Sequence, residues 1–160
     1  MADKFPVTQA VRVFRKEKVD YEPFMYDYEE KGGTAQSAEV LGVDEHNVIK
    51  TIIMEDEGGN PAIVLMHGDK EISAKNLARH IGVKKMQPCQ PDIANKHTGY
   101  IVGGTSPFGT KKKMRVYAEK TIFDRPVIFI NGGKRGFLVS MKPSELERVL
   151  KPEKVEATAE

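Results

Sequence analysis

Two apolar runs, residues 48–54 and 62–66, are dense in β-branched side chains and are separated by Glu57-Gly58-Gly59-Asn60. A turn-forming tetrad between two such runs predicts an antiparallel hairpin. Comparable runs recur along the chain: 21–28 is rich in aromatics, and 83–86, 99–102, 114–118, 127–130 and 137–141 read as further short strands. Pro23 has no amide hydrogen to donate, so the strand at 21–28 is expected at a sheet edge. Helical spacing governs 8–18, where Val7, Ala10, Val11 and Phe14 share a face and Thr8 stands at the cap position. It also governs 34–41 ahead of Gly42, 73–81 between Ser73 and Gly82, and the segment from Pro143 to 150. Pro91 opens a single helical turn. Strands outnumber helices and mostly follow one another without regular βαβ alternation. The expected class is α+β, a mixed, barrel-like sheet with flanking helices.

A chain of 160 residues fits one domain, expected over 1–152 with a frayed polar tail at 153–160. Apolar residues at 39% and charged residues at 30% give a globular balance and exclude extensive disorder. The apolar runs are too short to span a membrane. The N-terminus, Met1-Ala2-Asp3-Lys4-Phe5-Pro6, lacks the basic and apolar regions of a secretory signal, so a cytoplasmic location is expected. Cys89, the single cysteine, has no internal disulfide partner.

The formal charge of +2 conceals a strong asymmetry. Residues 1–69 carry 7 basic and 14 acidic side chains, a balance of −7. Residues 70–115 carry 10 basic and 2 acidic ones, a balance of +8, and include Lys111, Lys112, Lys113 and Arg115 almost in succession. Solvated helix faces explain some of these cations. A local excess of this size also concentrates a phosphate-bearing partner and speeds encounter.

The loop Gly103-Gly104-Thr105-Ser106-Pro107-Phe108-Gly109 invites comparison with catalytic motifs, and two of them fail. Thr110-Lys111 reverses the Lys-Ser/Thr order of a Walker A loop, and a strand rather than a helix is expected to follow. A nucleophile elbow needs one residue fewer after Ser106. What the loop offers is backbone. Paired glycines permit positive φ and bring amide hydrogens close to a ligand, where they hold a carbonyl or a developing oxyanion. A tight turn between two strands is the plainer account.

Lys50 interrupts an otherwise apolar strand face made of Val48, Ile52 and Met54. It reads either as an edge gatekeeper against strand pairing or as a phosphate-binding point charge at the mouth of a pocket. His46, His67, His80 and His97 form no metal-binding pattern, although His67 and Asp69 are spaced to share a strand face. Cys89 with His97 is a weak candidate pair beside two prolines.

Three segments together resemble the YbaK family: Val48-Ile49-Lys50-Thr51, the stretch from Thr98 through the diglycine loop to Lys113, and Ile130-Asn131-Gly132-Gly133-Lys134-Arg135-Gly136. That family comprises free-standing aminoacyl-tRNA deacylases related to the editing domain inserted in bacterial prolyl-tRNA synthetases. The resemblance runs from the first helix to the Pro143 helix. It implies the same mixed-sheet fold, no metal and no organic cofactor, with aminoacyl-tRNA as substrate and prolyl-tRNA synthetase as a candidate partner. It implies that Lys50 contacts the phosphate side of the terminal adenosine, that Gly103 and Gly104 present backbone to the aminoacyl ester, and that Tyr26 and Thr51 wall the pocket. Thr105, Ser106, Pro107, Asn131, Gly132 and Gly133 fall in the matching substrate-binding segments. Lys111, Lys112, Lys113, Arg115, Lys134 and Arg135 fall where tRNA phosphates are expected. Two positions depart from the pattern: Gly33 aligns near a larger aromatic, and Asn131 stands where serine is common.

Within the family the motif set is most similar to the branch that removes cysteine mischarged onto proline tRNA. The implied chemistry is substrate-assisted, the cysteinyl thiol attacking its own ester and leaving as a thiolactone. Two other readings stay open. One is a sister deacylase that clears alanine or another small amino acid by water attack. The other is a non-catalytic module that uses residues 70–115 to bind RNA or dock on a synthetase.

Overall fold

The computed structural model describes residues 5–160; residues 1–4, part of the N-terminal stretch read above, lie outside the described residues. In chain order the elements are α1 (Gln9–Lys16), β1 (Glu22–Met25), α2 (Gly33–Leu41), β2 (Val48–Asp56), β3 (Pro61–His67), α3 (Ala74–Ile81) and β4 (Met86–Pro88). There follow α4 (Pro91–Thr98), β5 (Arg115–Glu119), β6 (Ile128–Lys134), β7 (Phe137–Met141), α5 (Pro143–Leu150) and β8 (Glu153–Val155). The strands form one mixed sheet in the order β1-β7-β6-β2-β3-β5-β8, with β4 added beside β2. The β2–β3 hairpin is antiparallel as expected, with Lys50 opposite Met66. Pairs β2–β6, β3–β5 and β5–β8 are parallel. The α+β class and the flanking helices stand, but β1 and β8 end the sheet as two open edges rather than closing a barrel.

Alternation along β2 divides the interior into two faces. Ile49 and Ile53 point toward the main core, where Ala10, Val11 and Phe14 of α1 and Leu146 of α5 pack on Leu65, Ile130 and Val139. The opposite face is covered in two patches. Ala38 of α2 packs with Val48, Phe129 and Leu138, whereas Leu77 and Ala78 of α3 pack with Met54, Val64 and Tyr117. Lys50 sits on β2 between Val48 of the first patch and Ile52, which joins the second. The strip between α2 and α3 is thus where this face carries its cation.

Several local expectations need correction. Residues 83–86 do not form a strand, because the amides of Gly82 and Val83 both fold back onto the Ala78 carbonyl and complete the α3 cap. The paired segment begins later, at Met86. The single turn at Pro91 is a full eight-residue helix, and the strand at 99–102 is absent because Gly99 ends that helix in the left-handed region. The tail is not frayed: β8 pairs with β5, the Ala157 amide donates to Glu119 Oε1 at 2.6 Å, and Val155 and Ala157 are buried. Lys50 is no edge gatekeeper, since β2 lies inside the sheet with β3 on one side and β6 and β4 on the other. β1 does lie at an edge, with Pro23 opposite Val139.

Candidate active site

β6 accompanies β2 for only two paired positions, Val48 with Phe129 and Ile49 with Ile130. It then departs in an irregularity between Asn131 and Lys134. Asn131 causes the departure, its Oδ1 accepting from the amides of Gly133 at 2.7 Å and Lys134 at 3.2 Å. Gly133 has φ +102°, and a Cβ at Gly132 would run into the Phe137 ring. Only glycine allows this turn. On the same edge β4 rejoins β2 at Met54, preceded by the Cys89 amide donating to the Ile53 carbonyl. Lys50, Thr51 and Ile52 therefore face a window in the sheet, about 13 Å long at ~3.3 Å per residue. A window at the carboxyl ends of parting parallel strands is the kind of crevice in which open sheets hold ligands.

Lys50 and Thr51 project from opposite faces of this window. The Lys50 side chain is 19% exposed, and its Nζ lies 3.4 Å from Glu71 Oε1. Thr51 Oγ1 is buried and has no hydrogen-bond partner among the described residues. An orphan hydroxyl of this kind costs about 1–3 kcal/mol.

One step past the last β2–β6 pair, Lys50 is level with Asn131, and Asn131 leads to the diglycine loop. Its Nδ2 donates to the Gly103 carbonyl at 3.3 Å. Gly103 has φ +94°, and a side chain there would strike the Tyr28 hydroxyl. A Cβ on Gly104 would come within 2.6 Å of the Arg135 amide nitrogen. The two glycines are needed for packing against the β6–β7 turn as well as for any exposure of backbone. Arg135 binds the assembly from outside: its Nε donates to the Val102 carbonyl at 3.0 Å and its guanidinium stands 5.2 Å over the Tyr28 ring.

The structure thus sets Asn131, Gly132, Gly133, Gly103, Gly104 and Arg135 along the β6 side of the window, with Lys50 and Thr51 on its β2 side, projecting from opposite faces. Tyr26 is half-buried against the α2 patch, its hydroxyl pKa raised by burial with a contact from Ser37 acting in the opposite direction. Thr105 Oγ1 donates back to the Ile101 carbonyl. Ser106 and Pro107 lie buried beneath the loop, the Ser106 hydroxyl accepting from the Phe108 amide. Lys111, Lys112, Lys113, Arg115 and Lys134 are exposed. Sequence reasoning missed Tyr28 and Glu71. The aromatic density of 21–28 was a signal for the first, and nothing in the sequence linked Glu71 to Lys50.

The cysteine and the histidines have other partners. Burial, then a hydrogen bond with Glu55, pushes the Cys89 thiol up to about 12, so it stays protonated and its partner is not His97. Asp69 lies beyond the end of β3 and holds His46 Nδ1 at 2.8 Å, while His67 is buried beneath the stacked His46 ring. Among the described residues no three histidine, cysteine or carboxylate side chains converge as a metal-binding group. No helix among them is long and apolar enough to cross a membrane.

Residues 29–149 match the aminoacyl-tRNA editing domain family. EbsC of Enterococcus faecalis, whose name proposes Cys-tRNA(Pro)/Cys-tRNA(Cys) deacylation, is 30% identical over 140 residues, 87% of this chain and 85% of that protein. The proline–tRNA ligase of Ligilactobacillus salivarius is 36% identical over 84 residues, covering 51% of this chain and 14% of the ligase. A solved chain described as a proposed trans-editing enzyme for prolyl-tRNA synthetase superposes with a TM-score of 0.82 at 18% identity, covering 95% of this chain and 98% of that one. The hypothetical protein APE2540 gives 0.86 at 20% identity over 94% and 99%. At these identities the structural likeness shows the fold alone.

Proposed function

The chain belongs to the aminoacyl-tRNA editing domain family and is an aminoacyl-tRNA deacylase, and from that premise we propose that it removes cysteine mischarged onto proline tRNA. The observation that carries the site assignment is Lys50: a mostly buried ammonium in the strip between α2 and α3, opposite a single exposed carboxylate, beside the window that Asn131 joins to Gly103. Lys50 fixes a phosphate of the terminal nucleotide. The exposed Gly103 amide aligns the ester carbonyl, the buried Gly104 amide being spent on the Ile101 carbonyl at 2.7 Å where it shapes the loop, with Tyr26, Thr51, Thr105 and Asn131 around the acyl group.

The cysteinyl sulfur supplies the nucleophile. Its thiol loses a proton to solvent, the thiolate adds to the ester carbonyl, and collapse expels the tRNA 3′ oxygen, which takes up a proton. The products are a cyclic thiolactone and intact tRNA. A thiol of pKa ~8.5 is already a few per cent ionised near neutrality. Holding sulfur and carbonyl in register contributes about 7 kcal/mol or more through effective molarity. The protein's own thiol, protonated and tied to Glu55, is not required. Aminoacyl-tRNA is the partner in this reading, and association with prolyl-tRNA synthetase supplies selection among tRNAs.

The test is release of thiolactone or free cysteine from Cys-tRNA(Pro) by the wild-type chain and by Lys50→Ala. Loss of release with an unchanged melting temperature is expected. A fully active Lys50→Ala protein sinks the assignment.

A further inference from the structure

Away from the window, α3 and the turn leading into β4 enclose an open hollow of about 480 Å³. Lys75 and Arg79 of α3, four residues apart on one helix face, line it together with Lys84 and Lys85 from the turn, and among the described residues no acidic side chain does. All four cations are exposed, and among the described residues none of them enters an ion pair. Elsewhere Lys50, Lys120, Arg148 and Lys154 each have a carboxylate partner.

The hollow lies on the face of the sheet that carries Lys50, because α3 packs on Met54 and Val64 there. Met86, part of its lining, pairs in register with Asp56, six residues along β2 from Lys50. At ~3.3 Å per residue the separation is about 20 Å. We infer that the α3–β4 hollow is a second RNA site, taking backbone phosphates of the tRNA upstream of the aminoacylated end. A nucleic-acid strand carries charge at regular intervals, so a chain leaving the Lys50 strip meets a further set of free cations. An acidic protein partner is the weaker match. Protein interfaces are anchored by buried aromatic and arginine contacts in packed pockets, and among the described residues this lining contains no aromatic and only the small, half-buried or buried apolar groups Ala74, Ala78, Val83 and Met86. The inference rests on the deacylase reading for the direction in which the strand enters, and on the four cations for the contact itself.

The test is a variant with Lys75→Gln, Arg79→Gln, Lys84→Gln and Lys85→Gln, titrated with unacylated tRNA at several salt concentrations. A weakening of ~10-fold or more is expected, with a fall of about 3 to 4 in the slope of log affinity against log salt. Deacylation of a short aminoacylated oligonucleotide of the tRNA 3′ end, too short to reach the hollow, is expected to keep the wild-type rate. Wild-type affinity and slope in the variant overturn the inference. So does retention of tRNA binding with loss of prolyl-tRNA synthetase binding, which assigns the hollow to a protein. The tRNA titration decides the point even if the wild-type chain deacylates neither substrate, an outcome that counts against the function proposed above and not against the hollow.

Discussion

Lys50 Nζ and Glu71 Oε1 lie 3.4 Å apart in an unequal pair, the lysine side chain 19% exposed and the glutamate 85%. The cation is held in place by the sheet, with Val48 and Ile52 on either side of it along the strand, while the anion is free to swing into water. Solvent screening leaves an exposed carboxylate at this distance contributing little, about 0–1 kcal/mol. A substrate phosphate therefore competes with a partner that is released at small cost.

Glu71→Gln removes that competitor. Binding of tRNA at low salt is expected to tighten by up to about fivefold, the equivalent of ~1 kcal/mol, with the melting temperature little changed. A salt-dependent titration of both proteins checks this. Equal affinities at every salt concentration mean that Glu71 does not compete for Lys50.

Gly104→Ala addresses the loop. A Cβ at this position meets backbone atoms, Arg135 N at 2.6 Å and Lys134 C at 2.8 Å, rather than a side chain that can turn away. The loop must move off the β6–β7 turn, at a cost of about 1–3 kcal/mol. Deacylation is expected to be lost well below the temperature at which the variant unfolds. Retention of wild-type rate and stability shows that the loop need not hold its observed position.

Much of this site was legible in the sequence, and the reasons differ from residue to residue. Lys50 stood out because strand alternation placed a cation in an apolar row, and alternation is a local property. The diglycine loop and the Gly132-Gly133 turn stood out because glycine pairs are rare without a backbone reason. The window itself was not legible, since it depends on where β6 leaves β2 and β4 arrives, and those pairings join residues far apart in sequence. Tyr28, Arg135 and Glu71 acquire their roles only through such contacts. The α4 helix was read as a single turn and the β8 strand was missed for a related reason: tertiary partners, Tyr100 bonded to the Phe108 carbonyl and Ala157 bonded to Glu119, hold segments whose local pattern is weak.

Thr51→Val separates stability from function at the window. The Thr51 hydroxyl is buried without a partner among the described residues, so an isosteric methyl removes a penalty of about 1–3 kcal/mol. Unfolding is expected to shift to higher temperature or denaturant while the rate on Cys-tRNA(Pro) falls, because substrate must uncover this buried hydroxyl to bond it and a methyl offers no such bond. Thermal melts and deacylation assays on one preparation test both halves. A variant that gains stability and keeps full activity removes Thr51 from the acyl pocket.

Substrate assistance makes a sharp distinction between cysteine and serine on the same tRNA. The two side chains are nearly the same size, so the pocket admits both, but the serine hydroxyl is far less acidic than a thiol of pKa ~8.5. Release of cysteine is expected to exceed release of serine by ~100-fold or more. Rates on Cys-tRNA and Ser-tRNA measured side by side decide the matter, since equal rates indicate attack by water.

His67 gives the fold a pH dependence whose sign is fixed by its burial. The His46 carbonyl, 2.7 Å from Nδ1, can only accept, so Nδ1 carries a proton, while the Thr121 hydroxyl, 2.7 Å from Nε2, can donate to the neutral ring or accept from the charged one. Burial favours the neutral ring and holds its pKa below the ordinary value of 6.5. The unfolded chain takes up a proton near 6.5 that the folded chain does not yet bind. Stability is therefore full above that pH and declines as pH falls from there toward the lowered native value. Wild-type denaturant midpoints are expected to drop between pH 7 and pH 5, whereas His67→Gln, less stable throughout, shows a shallower drop. If the two proteins lose stability in parallel over this interval, the titrating group lies elsewhere.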